Sequence, residues 1–272
     1  GTSSKYDKVV VQHKFNPWDF DRTGRVPMWT LASHVAGLSH QARRGTFFKS
    51  PLPSHPSTTV IFHSQTWELY PSFYKSFGAE SILTVTMKMV HVGRTSYSVE
   101  TEISDTSTTE VLVKNVAQYV NFDMDSRRPK TLPDWVRERY AHLTSRPRPT
   151  TVNVFEMPAC STPFVHSVRV PASHIDWNSH AGQQYYYSYC FDCAALGARN
   201  GMYSTVRGDI FKHNVLEISV LFQREALEGD LLSVESWEDE GNPGTLKFQV
   251  KKGSDGIVQM AIAFHTPSES KL

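Results

Sequence analysis

Between residues 176 and 180 the chain reads Asp176-Trp177-Asn178-Ser179-His180, with a carboxylate, an amide and an imidazole at alternate positions. A carboxylate and an imidazole can exchange protons near neutral pH, and an amide can hold a carbonyl or a water. If the turn is extended, alternate side chains face one side and the three converge. The next segment, AGQQYYYSYCFDCAALGARNG (181–201), reads as a helix that stops at Arg-Asn-Gly. A helix N-terminus offers unpaired N–H groups and a partial positive charge, which stabilise a carbonyl oxygen as it becomes an oxyanion. These residues therefore suit attack on a carbonyl. The plainer reading is that Asp and Asn only cap the helix and shape the turn.

The elements that would position these residues occur twice. In the first copy a β-rich run (8–15) leads to a turn (16–24) and a helix (26–45) whose apolar residues Met28, Leu31, Val35 and Leu38 recur at helical spacing. Strand-like runs follow at 57–70, 81–93, 96–104 and 109–123. In the second copy a strand (165–171), a turn (172–180) and the helix are followed by strands at 215–226, 230–241, 244–253 and 256–267. This is an internal repeat of about 120–150 residues. The expected class is α+β: each copy is one long helix against a curled antiparallel sheet, the pattern of the double hot-dog fold. Joining the two sheets edge to edge would remove an exposed edge. The reading divides the chain into an N-terminal unit (1–125), a linker with a short helix (126–164) and a C-terminal unit (165–272).

Asp176-Trp177-Asn178-Ser179-His180, with Tyr186 ten residues after the Asp, resembles the D-x-N-x-H…Y signature of acyl-ACP thioesterases. Further on, Arg224-Glu225-Ala226 stands where that family has an Arg-Glu-Cys-like triplet. The resemblance covers nearly the whole chain. It implies a thioesterase that hydrolyses a fatty acyl thioester, with Asp176, Asn178, His180 and Glu225 catalytic and Gly182, Gln183 and Tyr186 at the substrate. It also implies an acyl carrier protein or coenzyme A thioester as partner, no cofactor, and a place in lipid metabolism. In that family the N-terminal unit shapes the acyl pocket and the C-terminal unit does the chemistry. Two departures stand out. Gly182 and Gln183 occupy positions where the family has two Asn, and Ala226 removes a cysteine nucleophile.

Aligned by the helix ends, Asp19-Phe20-Asp21-Arg22-Thr23 of the first copy falls opposite 176–180, give or take one residue, with Thr23 opposite His180. The first copy is therefore expected to be silent. In the second, His180 and Glu225 are both candidate general bases, Asn178 and helix N–H groups near Gly182 the carbonyl polarisers. Asp176 either orients its neighbours or attacks directly. Two alternatives compete. One is a hydratase acting on an enoyl thioester, whose resembling motif, D-x-N-x-x-H, places His five residues after Asp rather than four. The other is a double hot-dog that binds acyl chains without catalysis.

Bulk properties exclude other classes. With 28 basic and 27 acidic residues in 272, no global field draws the chain to nucleic acid or an anionic membrane. No apolar run approaches the length of a membrane span, and no secretory signal is visible. The chain starts at Gly1 rather than Met, as a trimmed one would. Three cysteines, Cys160, Cys190 and Cys193, fit a reducing compartment, cytoplasm or organelle interior, and not a disulfide scaffold. Cys190-Phe191-Asp192-Cys193 lacks a zinc partner set and reads as core, and the run Tyr185-Tyr186-Tyr187 reads as core and pocket wall rather than a stacking platform. His34, His40, His63 and His91 show no metal-ligand spacing, so no metal is expected. Gly253-Ser254-Asp255-Gly256 is a hairpin turn. Arg127, Arg128 and Lys130, or Arg43, Arg44 and Lys49, are basic clusters available to an acidic carrier protein. The chain is expected to be a monomer or homodimer.

Overall fold

The computed structural model describes residues 7–48, 58–149, 152–159 and 162–265; Lys49 and Cys160 lie outside them. The first compact unit combines Gly1–Asp19 with Ser33–Val152, and the second combines Phe20–Ala32 with Asn153–Leu272. The division within the linker falls after Val152, and the turn of the first copy is counted with the second unit.

In the first copy, β1 (Lys8–His13) precedes a 3-10 turn (Pro17–Asp19) and α1 (Met28–Ala42), the start of which, to Ala32, is counted with the second unit. α1 widens at its end into a π-helical turn, Arg43–Phe47. Then come β2 (Thr58–Leu69), the short α2 (Pro71–Lys75), β3 (Leu83–Val92), β4 (Ser96–Asp105) and β5 (Val111–Asp123). A two-residue β6 (Arg128–Pro129) pairs with β5. The linker helix is two short pieces, α3 (Asp134–Arg139) and α4 (Ala141–Thr144). The strands form because their side chains alternate: Leu83, Val85, Met87 and Met89 of β3 are all buried. The sheet order is β1-β3-β4-β5-β2.

The second unit repeats the plan. β7 (Phe164–Arg169), a 3-10 turn (Ala172–His174) and α5 (Gln183–Arg199) are followed by β8 (Val215–Phe222), β9 (Leu231–Glu238), β10 (Thr245–Lys252) and β11 (Asp255–Phe264). The order β7-β9-β10-β11-β8 is that of the first sheet strand for strand. Both the 3-10 turn and the helix start recur 155 residues later. The β10–β11 hairpin turns at Gly253, whose φ of 60 lies in the left-handed region that glycine adopts at little cost.

α5 packs close on β7 and β9, and the buried positions of its second half include the small residues Cys193, Ala194 and Gly197. Cys193 Sγ comes within 3.4 Å of Val234 O and 3.3 Å of Ser236 Oγ. Burial pushes the Cys193 thiol up to about 11 and Cys190 well above its usual range. Both are core residues, as expected, and neither is a thiolate at neutral pH. The tail of the linker lies on the other face of β11. The Gln259 amide accepts from Phe155 N (3.1 Å) and donates to Phe155 O (2.7 Å), as a neighbouring strand would.

The turn of the first copy is anchored to the segment after α5. Arg22 pairs with both oxygens of Asp209 at 2.7 and 2.8 Å, and the Arg25 guanidinium donates to Phe211 O at 3.2 Å. The Arg22 hydrogen bond holds the Asp209 carboxyl at about 2. Because that value is depressed, the contribution of the pair is full above the unfolded carboxylate's value near 3.9 and fades as pH falls toward 2. Asp209→Asn is therefore expected to lower stability by a constant amount from pH 7 to 5, with the gap to wild type closing below about pH 4. Denaturant unfolding at several pH values checks this, and a gap that widens on acidification contradicts it.

Candidate active site

The loop ahead of α5 is not extended. It folds back, so that Asp176 N donates to His180 O (2.8 Å) and Ser179 N to Asp176 O (2.9 Å). Asp176 Oδ1 accepts from the backbone of Asn178 at 2.8 Å and, at longer range, of His180 at 3.5 Å. This is an Asx turn, the short-range bonding that Asp favours. The expected convergence of three alternate side chains is corrected accordingly. Asp176 turns inward onto the loop backbone rather than lining up with His180. Ser179 pays for the turn with φ 65, unusual for a residue with a Cβ.

The first copy contains the same loop. Asp21 N donates to Arg25 O (2.7 Å), Gly24 N to Asp21 O (2.9 Å), and Asp21 Oδ1 accepts from Thr23 N (2.8 Å) and Arg25 N (3.3 Å). Gly24, at φ 74, takes the place of Ser179. The register is thus Asp21 with Asp176, Thr23 with Asn178, and Arg25 with His180. The alignment that put Asp19 opposite Asp176 and Thr23 opposite His180 is two residues out. The inference drawn from it is unchanged in kind, since an arginine stands at the histidine position. Ser179→Val, which forces a β-branched residue into this conformation, is expected to cost about 1–3 kcal/mol, whereas Ser179→Gly is expected to keep the fold and the loop. A Val variant as stable as wild type in thermal melts contradicts this.

Glu225 follows β8 on a loop tied to the first by Ala181 N donating to Ala226 O (2.9 Å). This brings His180 Nε2 to 3.0 Å from Glu225 Oε2, with both side chains about four-fifths buried. Tyr186, on the first turn of α5, does not point to open space. Its hydroxyl accepts from Ala226 N at 3.2 Å, so it fixes the residue beside Glu225. Tyr186, Tyr187 and Tyr189 are buried, as expected of pocket wall and core. Tyr185 instead stacks on His174 with ring centroids 3.8 Å apart, and His174 Nδ1 lies 2.7 Å from Tyr189 Oη.

Of the N–H groups around Gly182 that were expected to serve the oxyanion, that of Gly182 itself is engaged, donating to His174 O at 2.9 Å. The helix donors that remain belong to Gln183 and Gln184, at the start of α5. The Gln183 amide donates to Ala32 O (3.3 Å), and its Oε1 is buried without a partner. Among the described residues the Asn178 side-chain amide, half-buried, makes no hydrogen bond, and neither does His180 Nδ1. Trp177 is 78% exposed on the rim of the loop. Sequence reasoning missed the Ala181–Ala226 tie and the Tyr186–Ala226 bond. Both join backbone to distant groups and leave no mark in residue type.

Among the described residues no three His, Cys, Asp or Glu side chains gather as a metal site would require. No described helix is long and apolar enough to cross a membrane.

Two helices, each with a five-stranded antiparallel sheet of the same strand order, make this chain a double hot-dog protein. No protein-family model matches it, and no curated protein does. Its structure is similar to that of a protein assigned as an oleoyl thioesterase from Lactobacillus plantarum (TM-score 0.78, 15% identity, 98% of this chain and 99% of that one). It is also similar to the 12:0-ACP thioesterase from Umbellularia californica (0.74, 14%, 97% and 99%). A MaoC-like dehydratase from Phytophthora capsici is more distant (0.55, 14%, 97% of each).

Proposed function

We propose that the chain is a thioesterase that hydrolyses a fatty acyl thioester, carried by acyl carrier protein or coenzyme A, to the free fatty acid. The observation that carries the reading is the His180–Glu225 pair at 3.0 Å in the second copy, at a loop whose twin in the first copy holds Arg25. We assign the proton of the neutral imidazole to Nε2, which faces the Glu225 carboxylate, and this leaves Nδ1 as the acceptor. His180 Nδ1 then takes a proton from the attacking water, and Glu225 stabilises the imidazolium that forms. Asn178 and the Gln183 and Gln184 N–H groups polarise the thioester carbonyl. The likeness to thioesterases in fold supports the reading, as does the motif spacing.

Asp176 acts in this scheme by holding the loop, because Asp21 makes the same bonds in a copy that lacks the histidine. Asp176→Asn keeps an acceptor oxygen for the turn. Hydrolysis is expected to fall by about tenfold or less, whereas loss of an attacking nucleophile would cost far more. Free-thiol release from C8, C12 and C16 acyl-CoA and acyl-ACP tests the function as a whole. Inertness on all six sinks it. The dehydratase likeness keeps one second reading, hydration of an enoyl thioester; turnover of crotonyl thioester without hydrolysis would favour it.

A further inference from the structure

The helices sit differently on their sheets. No strand of the first unit approaches α1 as closely as β7 and β9 approach α5, among the described residues. The side chains between are large: Tyr119 of β5 reaches across to Ser39 of α1, hydroxyl to hydroxyl, at 2.8 Å. Tyr119 therefore marks the sheet face that looks at the helix. Alternation places Asn115 and Ala117 on that face, and register adds Tyr97, Val99 and Thr101 from β4 and Trp67 from β2. The matching face of the second unit is built mostly from apolar residues such as Val234, Phe248, Val250, Met260 and Ile262, and its buried Ser236 is paired, with Tyr203 and Cys193.

One polar atom on the first unit's face, Asn115 Oδ1, is buried without a hydrogen-bond partner, and the buried Tyr97 Oη on the same face has the Arg43 guanidinium near it, outside good hydrogen-bond geometry. Their residues are 2% and 1% exposed. The amide cannot be turned round to relieve this, since Asn115 Nδ2 donates to Thr66 O at 3.0 Å. Buried polar groups are normally paired, because leaving one unpaired is costly. A plain hydrocarbon tail would leave both atoms as they are. A ketone could accept from Tyr97 but offers nothing to Asn115 Oδ1. A hydroxyl can donate to Asn115 Oδ1, and it can exchange a hydrogen bond with Tyr97 in either sense. Burial pushes the Tyr97 phenol up, against the opposing charge and hydrogen bonding of Arg43, so it stays a neutral hydroxyl. Thr101, opposite Asn115, and Tyr97 are four residues apart on β4, roughly 13 Å at strand rise, so one hydroxyl meets one of the two.

We propose that the interior of the first unit binds an acyl chain carrying a hydroxyl group, read by Asn115 or Tyr97. This rests on the acyl-thioester reading of the chain and names the substrate class within it. The test is calorimetric binding of free fatty acids of one chain length, the parent acid beside isomers hydroxylated at successive positions. Wild type is compared with Asn115→Leu and Tyr97→Phe. At least one isomer is expected to bind about tenfold or more tightly than the parent. That preference should fall to near unity in one of the variants, while the parent acid binds all three alike. Tyr97→Phe keeps the ring stacked on Tyr119 (centroids 5.1 Å apart) and so keeps the test sound if Asn115→Leu fails to fold. The proposal is overturned if no acid binds, if no isomer outbinds the parent, or if the preference survives both substitutions; solvent then satisfies these atoms. Binding needs no turnover. A chain that prefers the hydroxy acid but cleaves no thioester loses the thioesterase reading alone, and one that cleaves plain acyl thioesters without preference loses this one alone.

Discussion

His180→Ala is expected to reduce kcat/KM for acyl-thioester hydrolysis by about 10²–10⁴, the range for losing a positioned general base. Glu225→Gln should fall in the same range, because the amide can still hold Nε2 by its oxygen but cannot stabilise the imidazolium. The double variant should be little worse than either single one, since two groups that act as a unit give non-additive losses. The pair at 3.0 Å is the basis for that expectation. Multiplicative losses would mean that the two residues serve separate steps. Near-wild-type activity in His180→Ala would remove the histidine from the chemistry altogether. Both residues sit on loops whose backbone hydrogen bonds the substitutions leave intact, so thermal melts of the variants should stay close to that of wild type.

Gly197→Ala is expected to destabilise the protein by about 2–3 kcal/mol, although alanine is the better helix former by about 1 kcal/mol. A Cβ at Gly197 would lie 2.3 Å from Tyr203 Oη and 2.6 Å from Cζ. Tyr203 cannot swing away cheaply. It is 1% exposed and its hydroxyl is 2.6 Å from Ser236 Oγ, which also meets Cys193. Inserting a methyl into such packing typically costs about 1–3 kcal/mol, and a broken Tyr203–Ser236 bond strands buried polar atoms at a similar cost. At about 2–4 °C per kcal/mol for a chain of this size, the melting point should drop by several degrees. A variant that melts at or above wild type would show that α5 can shift outward without loss.

Most of the fold was legible because strands and helices announce themselves by period. β3, β5, β10 and β11 alternate, and α1 repeats at helical spacing, so their limits were read to within a few residues. The double plan followed from the order of those elements. The candidate site's loop was legible in its residues but not in its posture. Asp176, Asn178 and His180 stood out by type and spacing, yet an Asx turn replaced the extended loop, because an Asp side chain competes for nearby N–H groups. The signal for that was present in the first copy. Asp21-Arg22-Thr23-Gly24 is an Asp followed three residues later by a glycine, the usual way to close such a turn in the left-handed region. Aligning on that glycine rather than on the helix ends gives Asp21, not Asp19, as the partner of Asp176. The use of the Gly182 N–H, and the hold of Tyr186 on Ala226, depend on where distant backbone comes to rest, and no local pattern carries that.

The twin loops also supply a ready-made experimental blank. Since the fold around 21–25 closes with an arginine in the last position, His180→Arg asks the second loop only to copy its sibling. Such a protein should be a well-folded but inert reference, against which slow background thiol release and carrier binding can be calibrated without the ambiguity that attends a truncated side chain.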